Sequence, residues 1–146
     1  MKTKNFSGGG ILHLNRYYVV LEKDEEIISK IKEFAKYQNV KGGSIKGIGT
    51  LKDPELGFFD LNKKEYKKQI FKGDFELLSM DGNISTLNDE LIIHIHALIS
   101  DSEFRTLGGH LFSGKITGTA EIIIDYYGEK LKREHCNESN LNLLKI

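Results

Sequence analysis

The chain has 146 residues and no net charge, because its 21 lysines and arginines are matched by 21 aspartates and glutamates. This length fits one domain with a core large enough to fold without disulfide bonds. A neutral chain lacks the global field that holds a polyanion, so DNA binding would need a local basic patch or an assembled surface.

The single cysteine, Cys136, excludes a disulfide bond within the chain and agrees with a reducing compartment. No segment approaches the ~20 consecutive apolar residues that span a bilayer. Residues 1–16 lack the continuous apolar stretch of a signal peptide. These features predict a single cytoplasmic domain over residues 1–146 with no membrane partner.

The first predicted strand is YYVVLEK, residues 17–23, because aromatic and β-branched side chains favour strands. A helix is predicted next, in DEEIISKIKEFAKYQ, residues 24–38. Asp24 is the predicted N-cap, Glu25 and Glu26 suit the positive end of the helix dipole, and apolar residues recur at helical spacing. The helix therefore has one apolar face that must pack against another layer.

The rest of the chain is predicted to form short strands divided by glycine and asparagine. The runs are GGSIKGIGTL, ELGFFDL, KEYKKQIF, FELLSMDGNIS, ELIIHIHALIS and GKITGTAEIIID. One helix followed by many strands is typical of an α+β domain, with a mostly antiparallel sheet and the one main helix packed on one face. The connections are too short for repeated parallel crossovers. The tail, residues 137–146, is expected either to be mobile or to dock its leucines on a neighbour.

Two histidines, His94 and His96, interrupt the apolar run LIIHIHALIS, residues 91–100. Alternate side chains of a strand point to opposite faces, so both imidazoles share the less apolar face. Their Cα atoms would lie roughly 6.5 Å apart, which lets two imidazoles lean toward one ion. A third imidazole, His110, follows a pair of glycines that allow either a sharp turn or a close backbone approach.

If the segments around residues 91–100 and 110–114 pair antiparallel, His110 lies beside His94 and His96. Three neutral histidines with a vacant fourth position form the zinc arrangement of Lewis-acid or hydroxide chemistry, although nickel, cobalt or iron also suit such ligands. The competing interpretation is that His94 and His96 are hydrogen-bonded cross-strand residues and His110 is a turn residue. The His-x-His pattern is short, and spacing alone leaves both interpretations open.

Three acidic residues near the histidines also have two interpretations. Asp101 and Glu103 follow the histidine strand and could hold the second nitrogen of an imidazole. Glu121, in GTAEIII, could be such an acceptor or a general base. The simpler interpretation for all three is a solvated or paired surface carboxylate. His13 and His135 have no comparable partners and are predicted to be surface residues.

Five segments, taken together, give the chain a family resemblance. They are GSIKGIGTL, FELLSMDGNIS, HIHALISD, GGHLFSG and TAEIII, within residues 15–125. This ensemble resembles the PPC domain family, the plant and prokaryote conserved group also called DUF296 or PD1-like DNA-binding proteins. The resemblance implies a compact α+β fold that associates as a homotrimer. It also implies that stand-alone prokaryotic members bind a metal, chiefly zinc, at the positions of His94, His96 and His110.

The plant relatives attach this domain to AT-hooks, which bind A·T-rich minor grooves. This sequence lacks the arginine-glycine-arginine-proline core of such a hook, and its only proline is Pro54. We therefore expect a small cytosolic homotrimer with a three-histidine zinc site near a subunit boundary. That site would bind a small-molecule ligand or perform metal-assisted hydrolysis or lyase chemistry.

Two alternative functions are also compatible with the sequence. The first is a DNA-binding regulatory or architectural protein that acts through KKEYKKQIFK, residues 63–72, although the same lysines would also protect a strand edge from aggregation. The second is a trimeric interaction module without chemistry. No sequence feature names a substrate.

Overall fold

The computed structural model describes residues 1–7 and 15–146, with only the backbone described for residues 4–7. Its helix, α1, spans Ile27–Tyr37. The described strands are β1 (Lys2–Ser7), β2 (Asn15–Glu22), β3 (Gly43–Asp60), β4 (Glu65–Ile70), β5 (Asp74–Leu87), β6 (Glu90–Ser100), β7 (Thr106–Tyr126), β8 (Lys132–Cys136) and β9 (Leu141–Lys145). Among the described residues, no helix combines the length and apolar character needed to cross a membrane.

All the described strands belong to one sheet, and nearly every pairing in it is antiparallel. Its main path runs β1-β2-β7-β3-β5-β8-β9, with β4 beside β3 and β6 beside both β5 and β7. The parallel pairing, between β5 and β8, joins Thr86 to Lys132. One helix with a mostly antiparallel sheet confirms the predicted α+β fold. The pairings β3–β5, β5–β6, β6–β7 and β7–β3 form a closed circuit.

The strands β3 and β7 are longer than the sequence predicts. GGSIKGIGTL and ELGFFDL join in β3, and GGHLFSG joins GKITGTAEIIID in β7. The β3–β7 register shifts between Gly49 and Leu51 and again between Lys52 and Glu55. Such irregularities bend a strand without ending it, and they let one strand pair with different neighbours along its length. The expected division of β3 into two strands was therefore wrong.

The N-cap of α1 is Glu26 and not Asp24. The Glu26 carboxylate accepts hydrogen bonds from the N–H groups of Ile28 at 3.2 Å and Ser29 at 2.7 Å. It also accepts one from the Gly114 N–H of β7 at 3.2 Å. Asp24 instead lies in the preceding turn with φ 69°. The predicted cap was wrong because a contact with a distant strand favours the glutamate.

One hydrophobic core lies between α1 and the sheet. The helix buries Ile27, Ile31, Phe34 and Ala35, and the Phe34 ring meets the Tyr17 ring edge-on with centroids 5.2 Å apart. The sheet contributes buried side chains from several strands, among them Val19, Leu21, Ile45, Ile84, Ile95, Ile99, Leu111 and Ile122. This core fixes the faces of β6 and β7, and so decides which of their side chains point away from α1.

Part of the C-terminal segment forms strands that join the sheet. In the hairpin β8–β9, Cys136 lies opposite Leu141 and Lys132 lies opposite Lys145. Residues 141–145 of the predicted tail thus form a strand, while the mobility of residues 137–146 stays a prediction. Leu131 connects the hairpin to β5, because its carbonyl accepts the Thr86 N–H at 2.8 Å.

Phe34 gives a direct test of the packing of α1. We expect Phe34→Ala to lower the free energy of unfolding by about 3–5 kcal/mol, because it removes a buried ring and leaves a cavity. Tyr37→Ala, one turn along the same helix at a side chain that is 85% exposed, should change it by less than about 0.5 kcal/mol. Urea unfolding followed by circular dichroism measures both. Equal losses in the two variants would contradict the helix orientation.

Candidate functional site

The structure brings His94, His96 and His110 together on one side of the sheet. His94 and His96 lie two residues apart on β6, and His110 of β7 lies opposite His96 in the antiparallel register. One ligand atom from each histidine lies within 4.8 Å of those of the other two. The ring centroids are 5.1 Å apart for His94 and His96, 5.0 Å for His94 and His110, and 5.6 Å for His96 and His110. Metal ligation by this cluster stays a prediction.

The glycine pair before His110 serves a close approach of strands and not a turn. Gly108 and Gly109 lie inside β7, whereas the β6–β7 turn closes where the Asp101 N–H donates to the carbonyl of Arg105 at 3.1 Å. A Cβ atom on Gly109 would lie 2.7 Å from the carbonyl oxygen of Gly57 in β3. A side chain here would push β7 away from β3 and displace the histidine that follows.

Burial and nearby cations keep two of the imidazoles neutral. Desolvation, followed by the charges of Arg133 and His96, lowers the pKa of His94 to about 4. Desolvation, followed by the other two histidines, Lys68 and Arg133, lowers the pKa of His110 to about 4. Both rings are therefore neutral at pH 7, and each carries a lone pair on one of its two nitrogens. Neutral imidazole is the form that ligates transition metals.

The surroundings of the His110 Nδ1 atom indicate whether the cluster suits a metal. This atom is buried and has no hydrogen-bond partner within the described part of the chain. A buried polar atom without a partner costs about 1–3 kcal/mol, and a cation at this nitrogen would offset that cost. The three histidines therefore fit a divalent ion of the zinc type, which takes nitrogen ligands at tetrahedral positions.

Aromatic rings from β4 and β7 surround His110. The His110 ring lies 4.4 Å from the Phe112 ring and 5.1 Å from the Tyr66 ring, centroid to centroid. Above Phe112, the Nζ of Lys68 lies 3.8 Å from the ring centroid. Burial raises the pKa of the Tyr66 hydroxyl, so this side of the cluster is poor in water. Charges interact more strongly in such surroundings than in bulk water.

Arg133 of β8 reaches the cluster from the C-terminal hairpin. Its Nη2 lies 3.0 Å from Nδ1 of His94 and donates to Oδ1 of Asn83 at 2.9 Å. Its Nε donates to the Ser85 hydroxyl at 2.7 Å, and its Nη1 donates to the carbonyl of Asn142 at 2.6 Å. An arginine only donates hydrogen bonds, so Nδ1 of His94 accepts here and its proton is on Nε2.

An open cavity of about 450 Å³ adjoins the exposed His96. It is lined by Ser79, Asp81, His96, Ala97, Leu98, Gly108 and Gly109. Asp81 is the cross-strand neighbour of His96, but its carboxylate accepts from the Ser79 hydroxyl at 3.1 Å and lies 3.9 Å from Nζ of Lys46. The cavity is large enough for a small organic molecule to approach the histidines from this side.

Two of the three acidic residues that the sequence singled out, Asp101 and Glu103, have other partners. Asp101 accepts from the backbone of Glu103 and from the backbone and side chain of Arg105, which orders the β6–β7 turn. Glu103 pairs with Arg105 at 3.1 Å. Glu121 lines a separate cavity of about 420 Å³. Within the described residues, none of the three bonds to a clustered histidine, so the surface-carboxylate interpretation applies to them.

The two remaining histidines lie apart from the cluster or beyond the described residues. His135 is exposed on β8, with Nδ1 3.2 Å from Oδ1 of Asn142, and it does not join the cluster. His13 lies outside the described residues. Reasoning from the sequence missed Arg133, Tyr66 and Phe112. Phe112 had a usable signal, since it follows His110 by two positions and shares its face, whereas the other two reach the site only through pairing between distant strands.

Comparisons with known proteins place these observations in a family. The model of the Plants and Prokaryotes Conserved (PCC) domain matches residues 12–127. A crystal structure of a plant- and prokaryote-conserved (PPC) protein of Pyrococcus horikoshii has 35% sequence identity and a TM-score of 0.86, covering 95% of this chain and 97% of that one. A candidate DNA-binding protein of Bacteroides thetaiotaomicron has 29% identity and a TM-score of 0.89, covering 98% of this chain and 96% of that one.

Two further relatives differ in how much of their length is matched. The metal-containing protein of Archaeoglobus fulgidus has 25% identity and a TM-score of 0.83, covering 100% of this chain and 99% of that one. The bifunctional protein GlmU of Synechococcus sp. (strain JA-3-3Ab) is 26% identical over 113 residues, which are 76% of this chain. The chain spans only 17% of the length of that curated relative.

Proposed function

Because the chain belongs to the Plants and Prokaryotes Conserved (PCC) domain family, we propose that it is a metal-binding protein. Its three clustered histidines hold one divalent ion, preferably zinc. A small-molecule ligand then takes the remaining coordination position. The observation that carries this proposal is the convergence of one ligand atom each from His94, His96 and His110 within 4.8 Å. The Archaeoglobus relative, similar over the whole chain, is described as containing metal.

The chain's own residues favour a cation at this place in three ways. The core side of β6 anchors His94 and His96 on one face, and the β6–β7 register holds His110 across from them. Burial keeps the rings of His94 and His110 neutral, which is the protonation state that ligates a metal, as their lowered pKa values indicate. His96 is exposed and adjoins the open cavity, so a ligand has a path to the site. When bound, a zinc ion supplies Lewis acidity.

Metal content tests this proposal. Protein purified without added metal should contain about one transition-metal ion per chain by inductively coupled plasma mass spectrometry, as three histidines at one point bind a single ion. His96→Ala and His110→Ala should each lose most of it, since two nitrogens hold zinc far more weakly than three.

A matched control is His135→Ala, which removes an exposed histidine outside the cluster and should keep the full metal content. Circular dichroism would show that the alanine variants remain folded. Metal that is absent from the wild-type protein, or unchanged in His96→Ala, would reject the site.

We also propose that the chain assembles as a homotrimer with this site near a subunit boundary. Support comes from large apolar side chains that the single chain leaves open to solvent, namely Phe58 (72% exposed), Leu78 (47%) and Leu98 (49%). Exposed apolar side chains on neighbouring strands are typical of surfaces that bind another protein. Leu98 also lines the cavity beside His96, so a subunit contact at Leu98 would bring the partner close to the metal.

The mass in solution tests the assembly. Light scattering coupled to size-exclusion chromatography should give three times the chain mass of 16.6 kDa. Leu98→Asp should shift this mass toward that of the single chain, because a charge in an apolar contact carries a large desolvation cost. Leu61→Asp, at an exposed residue in the β3–β4 turn, serves as the control. A monomeric wild-type protein would exclude the trimer.

DNA binding is a second candidate function, and two observations favour it. The Bacteroides relative is described as a candidate DNA-binding protein, and β4 together with the turn before it carries exposed lysines at positions 63, 64 and 67. Among the described strands, β4 pairs only with β3, so these lysines also protect a strand edge. They form a small patch on a chain without net charge.

A salt titration separates these two roles of the lysines. On the DNA-binding hypothesis, fluorescence anisotropy with an A·T-rich duplex should show binding at physiological salt, about 0.15 M, that weakens steeply as salt rises. A variant with Lys63, Lys64 and Lys67 all changed to Glu should bind at least about tenfold more weakly, and Lys30→Glu on α1 should bind normally. No binding at physiological salt would leave edge protection as the role of the lysines.

A further inference from the structure

Arg133 carries a charge that no acidic group in the described part of the chain neutralises. Its four hydrogen-bond acceptors are all neutral: a hydroxyl, an amide oxygen, a backbone carbonyl and an imidazole. Within the described residues no carboxylate forms an ion pair with it, whereas Arg16 pairs with Asp125 at 2.6 Å and Arg105 pairs with Asp101 at 2.8 Å. A half-buried guanidinium without a counter-charge is an electrostatic arrangement that an anion would complete.

The contact between Arg133 and His94 is incompatible with metal ligation by a neutral ring. In the described arrangement, Nη2 of Arg133 donates to Nδ1 of His94. If Nδ1 ligates a cation, its lone pair is no longer available to the guanidinium. If Nε2 ligates instead, a neutral imidazole carries its proton on Nδ1, which then faces an N–H group. In either case an N–H of Arg133 is released beside the cation.

A second cation, Lys68 of β4, lies near the histidine cluster. The Nζ of Lys68 lies 3.8 Å from the centroid of the Phe112 ring, and that ring lies 4.4 Å from the His110 ring, centroid to centroid. Within the described residues Lys68 forms no ion pair. Asp81, the cross-strand neighbour of His96, accepts from the Ser79 hydroxyl and pairs with Lys46. Among the residues that the structure describes, Arg133 and Lys68 therefore form no ion pair with a carboxylate.

From this arrangement we propose that the ligand of the three-histidine site is a small oxyanion, preferably a carboxylate. Arg133 binds this ligand through the N–H group that His94 releases when it ligates the metal. The inference rests on the proposed metal site and adds the chemical class of its ligand. The planar guanidinium fork matches a carboxylate with two parallel hydrogen bonds, a geometry that Lys68 does not offer. A cavity of about 450 Å³ opens beside His96 and gives a small molecule room to approach the site.

The test uses the full-length protein loaded with Co²⁺, whose visible absorption reports on ligands that enter the coordination sphere. Titration with acetate should change the spectrum and saturate, while acetamide, an uncharged molecule of the same shape, should have no effect. Arg133→Met should raise the apparent Kd for acetate by about 10- to 100-fold, the range of a charge-assisted hydrogen bond between buried groups. Inorganic phosphate, titrated in parallel, distinguishes a carboxylate site from a phosphate site.

Three further variants separate charge from structure. Arg133→Lys keeps the charge without the fork, so it should bind acetate more weakly than wild type and more tightly than Arg133→Met. Lys68→Met should weaken binding several-fold through the lost field. Lys67→Met, on the opposite face of the same strand, should leave the Kd unchanged. If Arg133→Met fails to fold by circular dichroism, Arg133→Lys and Lys68→Met still decide the result.

Metal content measured on each variant keeps the two proposals apart. Protein that takes up no Co²⁺ or Zn²⁺ overturns the metal site, and the oxyanion inference with it. Protein that takes up metal normally but shows no spectral change with acetate or phosphate overturns the oxyanion inference alone. That inference also fails if Arg133→Met retains metal and binds acetate as tightly as wild type. Binding of phosphate without acetate keeps the oxyanion class and overturns the preference for carboxylates.

Discussion

The antiparallel pairing of β6 with β7 is the constraint on which the site depends. It sets His96 opposite His110, and the two-residue period of β6 adds His94 on the same face. The pairing is close because Gly108 and Gly109 carry no side chains where β7 runs against β6 and β3. A shift of the register by one residue would turn His110 to the opposite face, into the core.

The electrostatics of the cluster follow from the way that pairing buries it. Rings from β4 and β7 remove water from around His110, and the charges of Arg133 and Lys68 add to the penalty for protonation. The imidazoles of His94 and His110 consequently remain neutral, while Arg133 and Lys68 beside them are cationic. A cation held by neutral histidines would keep its full charge and attract an anionic ligand, unlike a cation held by carboxylates.

The same small region bears on both candidate functions. Lys67 and Lys68 are both exposed on β4. Lys68 contacts Phe112 beside the histidine cluster, whereas Lys67 belongs to the basic patch. Alternation along a single strand thus assigns one lysine to each surface. The three-histidine geometry is specific in distance and burial, while exposed lysines on a strand edge are common in proteins that bind no nucleic acid.

The sequence determined the features that depend on local periodicity. Helical spacing of isoleucines predicted α1, and alternation in LIIHIHALIS predicted which side of β6 carries His94 and His96. Only the tertiary structure decided features that join distant segments: Glu26 as the cap through Gly114, the glycine pair as a point of close approach, and Arg133 beside His94. The physical reason is that periodicity is a property of neighbouring residues, whereas strand order and register arise from packing of the whole chain.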